Sequence, residues 1–85
     1  MKVYITNLCP AVPYTLDLLD RQGIQYTTAN INEDNAARER LRTLGNDHLN
    51  VPTIELDDGT VHVVSNLFKL RRIARDYKRA MSIAE

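Results

Sequence analysis

Apolar positions along this chain follow first a strand period, then a helical one, and the changes of period mark its elements. Residues 3–7 open on the apolar, β-branched run Val3-Tyr4-Ile5, which predicts a central strand buried on both faces. Val12, Leu16 and Leu19 then recur at spacings of four and three, with Leu18 beside them and Asp17, Asp20 and Arg21 facing outward, which predicts a helix over 15–22 with Pro13 in its first turn. Gly23 ends it. Residues 25–31 are rich in strand formers, and a helical link with short turns predicts that this strand pairs in parallel with the first through a right-handed crossover. Asn32-Glu33-Asp34-Asn35 supplies an N-cap for a second helix facing inward through Ala37, Leu41 and Leu44, and Gly45-Asn46-Asp47 stops it. Thr53-Ile54-Glu55-Leu56 alternates, Asp57-Asp58-Gly59 reads as a tight turn, and Val61-His62-Val63-Val64 returns as its hairpin partner. Ser65 or Asn66 caps a last helix whose inner face is Leu67, Leu70, Ile73, Ala74, Tyr77 and Met81.

The predicted order is β-α-β-α-β-β-α: an α/β domain with a four-stranded mixed sheet flanked by helices. Its 85 residues suffice for one core, so a single domain over 1–85 is expected, with 78–85 fraying as a tail. A composition of 44% hydrophobic and 26% charged residues is that of an ordinary globular protein. No apolar run reaches membrane-spanning length and no signal-peptide pattern precedes the first strand, so the expectation is a cytoplasmic protein without membrane contact.

Formal net charge is zero but unevenly spread: residues from Asn66 onward carry +4 and the first 65 carry −4. Such a basic helix could attract nucleic acid or an acidic protein. Without interleaved aromatics, the solvated face of an amphipathic helix is the simpler reading, and nucleic-acid binding is not expected.

Cys9 is the one thiol, so no internal disulfide staples the fold. It stands where the first strand hands over to a helix, in Asn7-Leu8-Cys9-Pro10-Ala11-Val12-Pro13. There the unpaired N–H groups of the helix's first turn favour the thiolate, the reactive form of cysteine. The alternative is a buried cysteine serving as a small hydrophobe. The histidines His48 and His62 are too few and too scattered to complete a zinc site with it.

With Cys9-Pro10-Ala11-Val12 at the end of the first strand, Asn50-Val51-Pro52-Thr53 before the hairpin and Asp57-Asp58-Gly59-Thr60 at its turn, the chain resembles the thioredoxin superfamily. Within it, residues 2–77 are similar to the small glutaredoxins, nearest the mycoredoxin and NrdH-redoxin branch. The resemblance implies a thioredoxin-like fold, Cys9 as the catalytic thiol, and a cis Val51–Pro52 bond whose backbone pairs with an extended substrate segment. It also implies that Pro10, Ala11, Val12, Tyr14, Val51, Pro52, Ser65 and Asn66 surround the bound thiol, the last two at a helix N-terminus that can hold its carboxylate.

Three departures shape that expectation. Val12 stands where the family carries its second cysteine, so the chain lacks an intramolecular resolving thiol. His62-Val63-Val64-Ser65-Asn66 replaces a glycine pair associated with glutathione binding. No basic residue follows closely after Cys9. The reaction expected is therefore a monothiol one: Cys9 attacks a mixed disulfide, and an external low-molecular-weight thiol, glutathione or mycothiol, releases it. No permanent cofactor is expected. An iron–sulfur cluster shared with an external thiol is the family's other route, but its usual Cys-Gly-Phe-Ser is absent. The expected partners are the small thiol and a thiol or disulfide protein, with the chain a monomer. The rival reading is a non-catalytic binding module that kept the groove and lost the chemistry.

Overall fold

In the computed structural model, residues 1–7, 11–44, 52–64 and 66–80 are described, with 81–84 as helical backbone. The central strand β1 (Lys2–Ile5) lies between β2 (Thr27–Asn30), parallel to it, and β3 (Thr53–Glu55), antiparallel to it. β4 (Val61–Val63) pairs antiparallel with β3, giving the sheet order β2-β1-β3-β4. The helices are α1 (Ala11–Arg21), α2 (Asn35–Thr43) and α3 (Leu67–Ala84). This is the mixed four-stranded arrangement that the periodicity implies.

Burial of β1 on both faces divides the core in two. The consecutive residues Val3 and Tyr4 are both 0% exposed and point to opposite sides, as strand geometry requires. Val3 packs with Leu19 of α1, Ile54 of β3, and Leu70 and Ile73 of α3. Tyr4 packs with Ala29 of β2, Ile31, and Ala37 and Leu41 of α2. Hence α1 and α3 share one face and α2 covers the other. Burying a leucine such as Leu41 stabilises by about 2–3 kcal/mol, and truncation to alanine costs about 2–5 kcal/mol once the cavity is included.

The helix ends follow from local chemistry. Gly23 takes φ +71°, its N–H bonds the Asp20 carbonyl and that of Ile24 bonds the Leu19 carbonyl, each at 3.1 Å, so a Schellman motif closes α1. Asp34 caps α2, its carboxylate accepting from the Ala37 N–H at 3.1 Å. The hairpin turns at Gly59, with φ +90°, and the Asp58 carboxylate accepts from the Thr60 N–H at 2.8 Å.

Several boundaries differ from the periodicity. α1 begins at Ala11, four residues before residue 15, which puts Pro13 in its first turn as the sequence predicts. Its inner face includes Thr15, 1% exposed, while Leu16 is half-buried. The Thr15 hydroxyl donates to the Ala11 carbonyl at 2.8 Å, which satisfies it without water. β2 is shorter than 25–31, and α3 continues to Ala84, through the stretch expected as a tail. The expected stop of α2 at Gly45-Asn46-Asp47, together with His48, lies outside the described residues.

Candidate thiol site

Cys9 and Pro10 lie outside the described residues, as do Val51, and with it the expected cis bond, and Ser65. The residues on either side define where the thiol segment starts and ends. Ahead of it, the Asn7 N–H donates to Oδ1 of Asn32 at 3.0 Å, and Nδ2 of Asn30 donates to Oδ1 of Asn7 at 2.6 Å. The Asn32 N–H in turn bonds Oδ1 of Asn30 at 2.9 Å. Three asparagines thus tie the carboxyl ends of the parallel strands β1 and β2, the edge at which open α/β sheets bind their ligands. Sequence reasoning missed this tie; its one signal was an asparagine two residues beyond the end of each strand, Asn7 and Asn32.

Behind the segment, α1 starts two residues after Cys9. Pro13 has no N–H, so Ala11 and Val12 supply the first-turn N–H groups that no helical carbonyl can accept. The acidic residues of α1, which would oppose a thiolate, have partners of their own. Asp17 pairs with Arg21 at 3.0 Å, and Asp20 accepts from the Tyr26 hydroxyl at 2.8 Å. Burial, and then that carboxylate, push the Tyr26 hydroxyl above its ordinary pKa.

A cleft of about 380 Å³ opens beside this helix start, lined by Ala11, Tyr14, Thr15, Val64, Asn66 and Leu67. It gathers three of the residues singled out from sequence: Ala11, Tyr14 and Asn66. Tyr14 is 68% exposed there, an aromatic ring left on the rim. Asn66 caps α3, its Oδ1 accepting from the Lys69 N–H at 2.8 Å, so the cap also forms part of the cleft wall.

Two other residues contribute differently. Val12 turns away from the cleft and is buried, 6% exposed. Pro52 is fully buried at the head of β3, and its carbonyl accepts from the Val64 N–H at 2.9 Å. That bond extends the β3–β4 ladder by one step and holds Val64 in the cleft wall. Pro52 therefore acts on the cleft through Val64. Among the described residues, no group of three His, Cys, Asp or Glu side chains is gathered to hold a metal ion, and no helix is long and apolar enough to cross a membrane.

On the opposite face, the Tyr4 hydroxyl donates to Oε1 of Glu55 at 2.6 Å, and Arg40 of α2 donates to Oε2 at 2.9 Å. Burial, reinforced by the Glu55 carboxylate, pushes the Tyr4 hydroxyl up to about 12. The Arg40 and Tyr4 hydrogen bonds hold Glu55 below its usual range. This network locks α2 to the sheet and is remote from the cleft.

A parallel βαβ unit followed by an antiparallel hairpin and a closing helix, with a cleft at the first helix's start, defines a thioredoxin-like protein. The crystal structure of the thioredoxin-like protein BC3987 superposes with a TM-score of 0.69 at 27% identity, covering 84% of this chain and 94% of that one. Residues 1–61 match the Glutaredoxin family model, and the chain belongs to the glutaredoxin family. It is 29% identical over 70 residues to the probable glutaredoxin ssr2061 of Synechocystis sp., spanning 82% of this chain and 80% of that protein. The family is one of thiol redox proteins.

Proposed function

We propose that this chain is a monothiol thiol–disulfide oxidoreductase that acts on mixed disulfides through Cys9, of the mycoredoxin and NrdH-redoxin type. The observation that carries this reading is the cleft at the start of α1: Ala11 and Tyr14, two and five residues after Cys9, face Val64 and Asn66 across it. A small thiol seated there has an apolar wall for its body, and the first N–H groups of α3 for a carboxylate.

In the first step the Cys9 thiolate attacks the small-thiol sulfur of a protein–small-thiol disulfide. A Cys9–sulfur bond forms, the substrate S–S bond breaks, and the other sulfur leaves as a thiolate that takes up a proton. In the second step the thiolate of an external low-molecular-weight thiol, glutathione or mycothiol, attacks the sulfur attached to Cys9. A new small-thiol disulfide leaves and the Cys9 thiolate is regenerated. Each turnover consumes one external thiol: the protein is released with a free thiol, and the external thiol leaves joined to the small thiol that the substrate carried. Val12, standing where the family carries its second cysteine, is the reason for the external thiol.

The test is reduction of a protein mixed disulfide by wild type and Cys9→Ser in excess small thiol, run once with glutathione and once with mycothiol. The wild type turns over and the serine variant does not. Equal rates for the two would instead make the chain a non-catalytic binding module of the same fold.

A further inference from the structure

The apolar cleft does not end at Tyr14. Tyr14 and Leu67 also line a second, larger depression of about 770 Å³ that runs between α1 and α3. Its walls carry four cationic side chains, Arg21, Arg71, Arg75 and Lys78, against the single carboxylate of Asp17, which Arg21 already pairs at 3.0 Å. Arg75 lies 3.3 Å from Asp76, whereas Arg71 and Lys78 make no ion pair among the described residues. Arg71, Arg75 and Lys78 are spaced four and three along α3, so they form one row along the groove. A continuous path therefore leads from the start of α1, past an exposed tyrosine, into a cationic channel.

We infer that the groove between α1 and α3 docks an acidic segment of the protein partner whose disulfide is presented to Cys9. This rests on the Cys9 reading above and adds the chemistry of the partner to it. From Leu67 to Lys78 the helix rises about 16 Å, which an extended segment covers in about five residues. Charge complementarity selects an acidic segment, and the shared Tyr14 and Leu67 select one continuous with the group bound in the apolar cleft. Steering by such a row raises encounter rates of anionic partners and is screened by salt.

Two synthetic peptides of equal length test it, each with one cysteine held as a mixed disulfide with a small thiol. One has Glu at four positions within six residues of the cysteine, and the other has Gln there. The wild type reduces the Glu peptide with a kcat/KM about tenfold higher at low ionic strength, and the preference shrinks at several hundred millimolar salt. The double variant Arg71→Gln/Lys78→Gln loses the preference, while Arg38→Gln/Arg42→Gln, which removes two charges from α2, keeps it. Equal reduction of both peptides by wild type overturns the docking inference and leaves the chemistry of Cys9 standing. If neither peptide is reduced, the Cys9 reading falls. Anisotropy of the same peptides, labelled and without the disulfide, on the Cys9→Ser protein then still decides the groove: tighter binding of the Glu peptide supports docking, and equal binding refutes it. A single-stranded oligonucleotide binding more tightly than the Glu peptide, or salt-sensitive self-association lost in Arg71→Gln/Lys78→Gln, would assign the groove to nucleic acid or to a second copy of the chain and overturn the inference.

Discussion

Asn30 donates its side-chain amide to the side-chain oxygen of Asn7 at 2.6 Å, across a separation of 23 residues. Together with Asn32 this bond sets the position from which the chain enters the Cys9 segment. Replacing Asn32 with alanine leaves the Asn7 N–H without its acceptor at 3.0 Å. The bond is exposed, so the stability loss in urea is small, about 0.5–1 kcal/mol. The effect on reduction of a mixed disulfide is larger than that stability change implies, because a small misplacement of a reacting group lowers rate steeply. Asn32→Asp retains an acceptor oxygen and restores most of the rate. A rate unchanged in Asn32→Ala would show that the tie does not position the thiol.

Val12→Cys places a second thiol three residues after Cys9. The reduced variant folds with a loss of about 1 kcal/mol, since a smaller side chain fills a buried site. On oxidation it loses two free thiols by titration and two hydrogens by mass, while the wild type loses neither intramolecularly. Retention of both thiols would mean that residue 12, turned into the core, cannot reach Cys9.

The Tyr4 hydroxyl makes stability depend on alkaline pH. Its folded pKa of about 12 lies above the ordinary value of 10, so the folded state holds its proton longer than the unfolded chain. That contribution is fully present below pH 10 and is lost as pH rises from 10 towards 12. Glu55, lowered by Arg40 and then by Tyr4, works in the other direction: its contribution is present above its ordinary 4.5 and is lost as pH falls below that. Urea unfolding of Tyr4→Phe is about 1.5 kcal/mol easier near neutrality, because a charge-assisted hydrogen bond is removed. Its stability falls less than that of the wild type between pH 10 and 12. Identical alkaline profiles would remove Tyr4 as the responsible group.

Gly23→Ala isolates a backbone effect. A Cβ at this position meets nothing within 4 Å, so any cost comes from φ +71° alone. A loss of about 1 kcal/mol is expected in urea unfolding, with the rate of mixed-disulfide reduction unchanged. No loss would mean that the end of α1 relaxes to another conformation.

Much of the fold is legible along the chain because strand and helix periods are local properties. Val3 and Tyr4 alternate because a strand alternates, and both are buried because helices cover both faces of β1. Gly23, Asp34 and Asn66 mark helix ends because each answers a need of its own helix's backbone. The position of Cys9 before a helix and of Val51-Pro52 before a hairpin is likewise readable from order alone.

What only the tertiary structure decided are the meetings between residues distant in sequence. Thr15 faces inward because α1 packs against both the sheet and α3, its neighbour on the same face, which widens its buried face beyond the apolar stripe. Glu55 joins Tyr4 to Arg40, three residues from three elements, and no local pattern distinguishes such a carboxylate from a solvated one. The same holds for Asn7 with Asn30, and for Tyr14 and Leu67 joining the apolar cleft to the cationic groove. Period and capping chemistry choose the elements; how the helices pack on the sheet chooses which side chains share a site, because that packing depends on side-chain shape and charge brought together only when the chain closes.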